Sequence, residues 1–387
     1  MDAVELTREL IKIESTDPGS WETRVGEYIC NYLKESGADT ETYGVEPGRK
    51  IVKGVVKGAK AHPALVFICH MDTVVKGEGW TKNAFSAEVS DGKIWGRGAC
   101  DMKSGLASAL TAFAEVAKLQ KENAEDIEKL PGTLVFIGTV DEEADMKGSE
   151  AVVQQGWIQK EDWVLDMEPT SGMIQMAHKG RTWFELSVEG ITAHASMPEK
   201  GADAIAGIAF MIAEIRKAMG KVPTHEELGK STVTFGQISG GYSPYVVSDH
   251  SMVTIDMRLV PPMNTQEAEK IVRKAIEIGE NALPGVKGSY KITGDRPPVE
   301  THMESGLMKA LSESVKKVTG KDLVVSAFTG YTDTAVVAGL LGNLNCMSYG
   351  PGNLAQAHKP DEYVEIADIE RCVQVYRELI CLYEDMI

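Results

Sequence analysis

The sequence predicts an α/β layer fold with a mostly parallel sheet flanked by helices, interrupted by an inserted α+β domain. Two observations carry this. Four short, nearly continuous apolar runs alternate with segments of helical period, and between residues 180 and 294 the pattern changes to period-2 alternation. Continuous runs mark strands covered on both faces, and alternating runs mark a sheet with one solvated face. At 387 residues the chain is long for one core and ample for two.

The apolar runs are "ALVFICH" (64–70), "GTLVFIGTV" (132–140), "DWVLDMEP" (162–169) and "NLNCMSYGPG" (343–352). Helical periodicity falls at 4–15, 20–36, 103–122 and 147–156, and strands alternating with helices predict a layered α/β domain. In the middle of the chain "RTWFELSVEG" (181–190) and "SMVTIDMRLV" (251–260) alternate apolar and polar residues, and helices fit at 202–219 and 265–282. The order strand–helix–strand–strand–helix–strand is that of a ferredoxin-like unit. The expected organisation is therefore residues 1–178 and 295–387 forming one domain, with 179–294 inserted.

The net charge of −17 argues against a nucleic-acid or anionic-membrane surface. It is read either as solubility or, in part, as acids gathered around cations. No apolar run approaches the ~20 residues that span a bilayer. The first residues, "MDAVELTRELIKIESTDPGS", carry acids on an amphipathic period, so a cytoplasmic protein is expected. Six cysteines with no C-x-x-C pair read as reduced core thiols, and Cys69, one residue before His70, as packing.

Polar residues concentrate where the apolar strands end. The first strand ends in His70, within "HMDTV", and the second in Asp141, Glu142 and Glu143. The third ends in "DMEPT", with Asp166 and Glu168. The fourth runs into "YGPGNLAQAHKPDE", with His358, and Asp101 lies in the Gly-rich turn "WGRGACDMKSG" before a helix. Open α/β sheets bind ligands beyond the carboxyl ends of their strands. Carboxylates gathered there repel and raise one another's pKa, and Arg97, Lys103 and Lys147 are the nearest basic residues within these motifs. One or two divalent cations are the simplest compensation. Imidazole with carboxylate suits Zn²⁺ best, with Mn²⁺ and Co²⁺ as alternatives.

Taken together, "HMDTV", "GRGACDMKSGLA", "DEEADMKGSE", "EPT", "GITAHAS", "GYTDTAVVAG" and "GPGNLAQAHKPDEYV" resemble the M20 family of dinuclear metallopeptidases and amidohydrolases. That group includes glutamate carboxypeptidase, acetylornithine deacetylase and succinyl-diaminopimelate desuccinylase. The segments run from residue 70 to residue 364 in the family's order. The resemblance implies a catalytic domain with an inserted lid and dimerisation domain, and a homodimer. It implies that His70 and Glu168 bind one metal, that Glu143 and His358 bind the other, and that Asp101 bridges both through a residue typically followed by a cis peptide. Glu142 would be the base that takes a proton from the metal-bridging water. Asp141 would point away into local hydrogen bonds. Asp72 would orient the His70 imidazole, because two residues along an extended segment return to one side. Asp166 is the weaker candidate beside Glu168, since the family's ligand is the acid before Pro.

His194, in "GITAHAS", resembles the family histidine that stabilises the oxyanion, in dimers from the neighbouring subunit. Arg258, in "IDMRLVP", resembles the arginine that clamps a substrate carboxylate, a contact that guanidinium geometry suits. Gly350 and Gly352 offer backbone close to the metals and to substrate. His62, His178, His225, His250 and His302 match no motif and read as surface or core residues. The implied activity is hydrolysis of an amide bond in a small peptide or N-acyl amino acid with a free carboxylate, carboxypeptidase- or dipeptidase-like. The alternatives are an N-acyl amino acid deacylase and, from another class, a catalytically silent binding protein of the same fold. Tyr245 and Ser248 stand where relatives carry the Asn and Pro of "N-V-I-P", and Val75 where a Pro is common. These departures touch substrate identity and leave the metal chemistry untouched.

Overall fold

The computed structural model describes residues 1–122, 130–328 and 330–387. Two compact units emerge. One comprises Met1–Met176, Thr301–Ser326 and Thr332–Ile387, and the other comprises Ala177–Glu300 and Ala327–Tyr331. Residues 295–300, expected with the returning chain, stay with the second unit because His178 and Val299 exchange backbone hydrogen bonds of 2.9 and 3.0 Å. Tyr331 is held there too, its hydroxyl donating to the Pro297 carbonyl at 2.9 Å.

The first unit is built on a sheet whose four central strands are parallel: Gly132–Thr139, Lys60–His70, Trp163–Asp166 and Cys346–Ser348, in that spatial order. Antiparallel strands flank them: Arg49–Val56 then Asp39–Glu46 on one side, and on the other the start of Ile174–His178, paired at Gln175 with Ser348. Consecutive residues from Ala64 to Thr73 are all buried, so both faces of the Lys60–His70 strand are covered. The register sets His70 opposite Thr139, and Asp166 opposite both Ile68 and Ser348. The carboxyl ends of all four parallel strands therefore meet at one edge. The last strand is shorter than the run 343–352 predicts. Asn343 turns the chain before it, its side chain accepting from the Asn345 N–H at 2.7 Å, and the Gly-Pro-Gly turn ends it. Helix Lys103–Glu122 packs against helices Ala3–Lys12 and Ile366–Met386. A small sheet of Glu88–Ser90, Lys93–Trp95 and Tyr363–Glu365 sets Glu362 beside the Asp101 turn.

The second unit is an antiparallel sheet in the order Thr232–Gly240, His250–Leu259, Gly180–Glu189, Lys287–Arg296. Burial alternates along Gly180–Glu189 and His250–Leu259, so one face is apolar. Helices Ala204–Met219 and Thr265–Ala282 pair with each other, and their apolar residues join those of the sheet in one core. Each helix starts on a side-chain cap: Asp203 accepts from the N–H groups of Ile205 and Ala206, and Asn264 from that of Glu267. Strand order and connectivity are those of the ferredoxin-like unit.

His178 belongs to this unit, buried against the rings of Phe328 and Tyr331. Burial pushes its pKa down to about 3. The unfolded chain protonates this ring below ~6.5 while the folded chain leaves it neutral. Stability is thus unaffected near pH 7 and falls as pH drops from ~6.5 toward 3, by on the order of 3 kcal/mol at pH 4. His178→Phe is expected to flatten this part of the pH dependence, measured as the difference in urea midpoint from wild type between pH 7 and pH 4. An unchanged pH slope would contradict it.

Candidate active site

The acidic edge is assembled around Asp101. Its Oδ1 lies 3.1 Å from His70 Nε2 and its Oδ2 lies 3.3 Å from His358 Nε2, so the two oxygens face different imidazoles. His70 Nε2 is 3.8 Å from Glu168 Oε1, and His358 Nε2 is 3.0 Å from Glu143 Oε2. Candidate ligand atoms of His70, Asp101 and Glu143, and those of His70, Glu142 and Glu168, all lie within 4.8 Å of one another in each set. The peptide bond from Asp101 to Met102 is cis.

Local structure fixes each candidate ligand. His70 closes its strand, only 1 % exposed, and its Nδ1 donates to the Asp72 backbone carbonyl at 2.9 Å. Asp101 is held through its backbone. Glu362 accepts from the N–H groups of Cys100 and Asp101 at 2.8 and 3.1 Å, and Arg97 pairs with the same carboxylate. His358 sits at positive φ (63°), after a short turn that Asn353 caps. Gly350 lies where a Cβ would be 2.3 Å from the Met167 carbonyl, so only glycine lets this loop lie on the backbone carrying Glu168. At Gly352 (φ 81°) a side chain would be strained and would meet Cys100 Sγ.

The Asp141–Glu143 turn differs from expectation in two ways. Asp72 meets the His70 ring through its backbone carbonyl; its carboxylate lies 3.8 Å from Nδ1 and accepts from the N–H groups of Glu142 and Glu143 at 3.3 and 3.0 Å. The strand ends at His70, so two-residue periodicity does not carry to residue 72. Asp141 turns away, yet into a buried ion pair with Arg49 Nη1 at 2.8 Å as well as a bond from the Lys147 N–H. Arg49 matches no motif, and only its position as a basic residue in a buried strand could have marked it. Asp166 falls in none of the candidate ligand sets, and its Oδ2 accepts from the Thr334 hydroxyl at 2.8 Å and from its N–H at 3.3 Å.

Burial pushes the Glu142 and Glu168 carboxyls well above the ordinary range, with Asp101 adding repulsion to both. Glu143 is raised by the same two causes. Asp101 goes the other way: burial opposes ionisation, but hydrogen bonds from His358 and His70 outweigh it. His358 is pushed up to about 10 by its bonds to Asp101 and Glu143. His70 is raised too: burial opposes protonation, but the bond to Asp101 and the charges of Glu142, Glu168 and Asp101 together outweigh it. The hydrogen bonds that raise both imidazoles mark where cations would neutralise the carboxylates.

His194 and Arg258 lie in the second unit. His194 is in an exposed loop, its Nδ1 paired with the Ser196 hydroxyl at 2.7 Å. Arg258 makes two bonds to Asp256, at 2.8 and 3.0 Å, and Asp256 also accepts from Trp183 Nε1. Tyr245 is 67 % exposed, and the Ser248 hydroxyl donates to the His250 carbonyl. His62 pairs with Asp162, His225 accepts from the Glu227 and Leu228 N–H groups, and His250 pairs with Asp249. His302 is half-buried, its N–H directed at Met176 Sδ in the first unit. All six cysteines are free.

The sequence profile of peptidase family M20/M25/M40 matches residues 66–381. The chain belongs to this family. As an M20 member it is a metal-dependent hydrolase of amide C–N bonds. A probable succinyl-diaminopimelate desuccinylase from Staphylococcus epidermidis is 25% identical over 99% of this chain and 98% of its own. Among solved M20 folds, a tripeptidase from Staphylococcus aureus superposes with a TM-score of 0.77 at 21% identity, covering 99% of this chain and 98% of its own. A dinuclear metal-binding M20 peptidase from Bacillus subtilis gives 0.75 at 18%, covering 100% and 98%. Among the described residues no helix is long and apolar enough to cross a membrane.

Proposed function

We propose that this M20 enzyme holds two divalent metal ions across Asp101 and hydrolyses a short peptide or N-acyl amino acid bearing a free carboxylate. The observation that carries the reading is Asp101 itself, one oxygen toward His70 and the other toward His358, with Glu168 and Glu143 beyond. His70 and Glu168 hold one ion, Glu143 and His358 the other, and Asp101 both. Mixed imidazole and carboxylate donors fit Zn²⁺ best, with Co²⁺ and Mn²⁺ next. Bound divalent ions supply Lewis acidity to the scissile carbonyl and lower the pKa of the attacking water.

The chain's residues do the rest. Glu142 takes the proton from the attacking water and passes it to the leaving amine. Asp72 holds the turn that presents Glu142. His194 donates to the oxyanion. Gly350 and Gly352 bring loop backbone near substrate. Arg258 leaves Asp256 to clamp the substrate carboxylate, so Arg258→Ala is expected to raise KM about tenfold or more with little change in kcat. Steady-state kinetics on a carboxylate substrate and its amidated analogue checks this, and an equal loss on both would count against the clamp.

The enzyme acts in the cytoplasm as a homodimer assembled through the inserted domain. Six free cysteines support the first reading. The second is supported by exposed apolar residues of the second unit, among them Ile205, Phe210, Ile238 and Tyr242. The acidic surface speaks against nucleic-acid and membrane partners. Deacylation of an N-acyl amino acid is the second reading, favoured by the identity to the desuccinylase. The silent binding-protein reading is opposed by the complete set of ligands and base at one edge.

The test is a panel of di- and tripeptides and N-acetyl and N-succinyl amino acids. It is assayed for released amine with chelated protein and with protein reloaded with Zn²⁺, Co²⁺ or Mn²⁺. Turnover of at least one member, only when metal is restored, is expected. Silence across the panel with every metal would overturn the activity.

A further inference from the structure

We propose that Arg49 is a positioning residue for amide hydrolysis, acting through the turn that carries Glu142 and Glu143. The proposal rests on the roles assigned above to those two residues.

Arg49 opens a flanking strand of the sheet and is itself only 5 % exposed. Its guanidinium hydrogen-bonds three carboxylates, and a fourth, Glu46, lies 3.9 Å away. Nε bonds Glu22 Oε2 at 2.9 Å and Nη2 bonds the other Glu22 oxygen, a two-point contact. Nη2 also reaches Asp17 at 2.6 Å, and Nη1 reaches Asp141 at 2.8 Å. Asp17, Glu22 and Asp72 together have the spacing of a cation site. The guanidinium on Asp17 and Glu22 already supplies the positive charge there.

The consequence falls on the turn. Glu22 accepts from the Asp141 N–H at 3.2 Å, and Asp72 accepts from the next two, those of Glu142 and Glu143. Three successive backbone N–H groups are thus tied to side-chain carboxylates, and Arg49 holds one of those carboxylates together with the Asp141 side chain. Asp141 sits at φ 69°, a conformation that costs a non-glycine residue free energy and persists only when its surroundings impose it. Arg49 and Glu22 impose it. Lysine keeps the charge but cannot make the forked contact that spans Glu22 and Asp141.

The test compares wild type, Arg49→Lys and the charge-balanced Arg49→Gln/Glu22→Gln. Each is measured for kcat, KM, metal content and hydrogen exchange of peptides covering residues 139–147. Expected for Arg49→Lys are wild-type metal content, KM within about threefold, and kcat lower by on the order of 10²-fold, the scale of a small misplacement of a catalytic group. Exchange should be faster at 139–147 and unchanged in helix Lys103–Glu122. The double variant removes the Arg49–Glu22 pair at unchanged net charge and leaves Asp17 and Asp141 without the guanidinium, so unchanged exchange in helix Lys103–Glu122 is what separates misplacement from misfolding; it should show the same local exchange and the same kcat loss. Wild-type kcat with wild-type protection at 139–147 in both variants would overturn the proposal. So would a loss confined to thermal stability. If wild type itself turns over nothing, the functional reading fails on its own, and exchange at 139–147 still decides whether Arg49 holds the turn.

Discussion

Replacing Glu142 with Ala is expected to lower kcat by about 10³-fold while the protein keeps its metals and its KM. The size is that of removing a positioned acid–base group, typically 10²–10⁴. The retention of metal follows from the geometry. The Glu142 backbone, not its side chain, is tied to Asp72, so truncation leaves the turn and its neighbour Glu143 in place. Burial and neighbouring acids raise the Glu142 carboxyl, which suits a group that must both take and return a proton. Glu142→Gln keeps the shape without the basicity and should lose as much. Turnover within tenfold of wild type in both variants, at equal metal content, would remove Glu142 from the role of base.

Asp101→Ala should have the larger effect on binding. Both imidazoles lose their shared carboxylate at once, and neither Glu143 nor Glu168 pairs with both within 4 Å. Metal affinity is expected to fall by several orders of magnitude at both positions and turnover to drop below detection. The thermal stabilisation that saturating metal gives wild type, about 4 kcal/mol at a thousandfold excess over Kd, should disappear. Cys100, Arg97 and Glu362 remain as the frame, because Glu362 bonds backbone N–H groups that the substitution leaves intact. A thermal shift on metal addition equal to that of wild type would show that the ions bind elsewhere.

Strand ends made much of this site legible. A buried parallel strand must stop where its apolar run stops, so His70 and the acids after Val140 and Leu165 were bound to share an edge once the strands were parallel. His358 and Asp101 were readable in the turns beyond the strands, whereas the division of labour proposed for Glu142 and Glu143 came from ordered motifs that single spacings could not supply. What stayed hidden was partnership over long sequence distance. Nothing near the acids announces Arg49, 92 residues from Asp141, or tells that Glu22 lies against the same turn. The pairing of Arg258 with Asp256 was hidden for another reason: residues two apart on a strand share a face, but whether they bond or reach outward is decided by rotamers. Asp72 shows the limit of periodicity, which holds only while the strand lasts.

The most direct test of the central claim is the number of divalent ions bound per chain, measured by elemental analysis after dialysis of metal-loaded protein, for wild type and for His358→Ala and Glu168→Ala. Two ions in wild type and no more than one in each variant is the expected result. No bound ion under any loading condition, or a full complement in both variants, would contradict a two-metal centre built across Asp101.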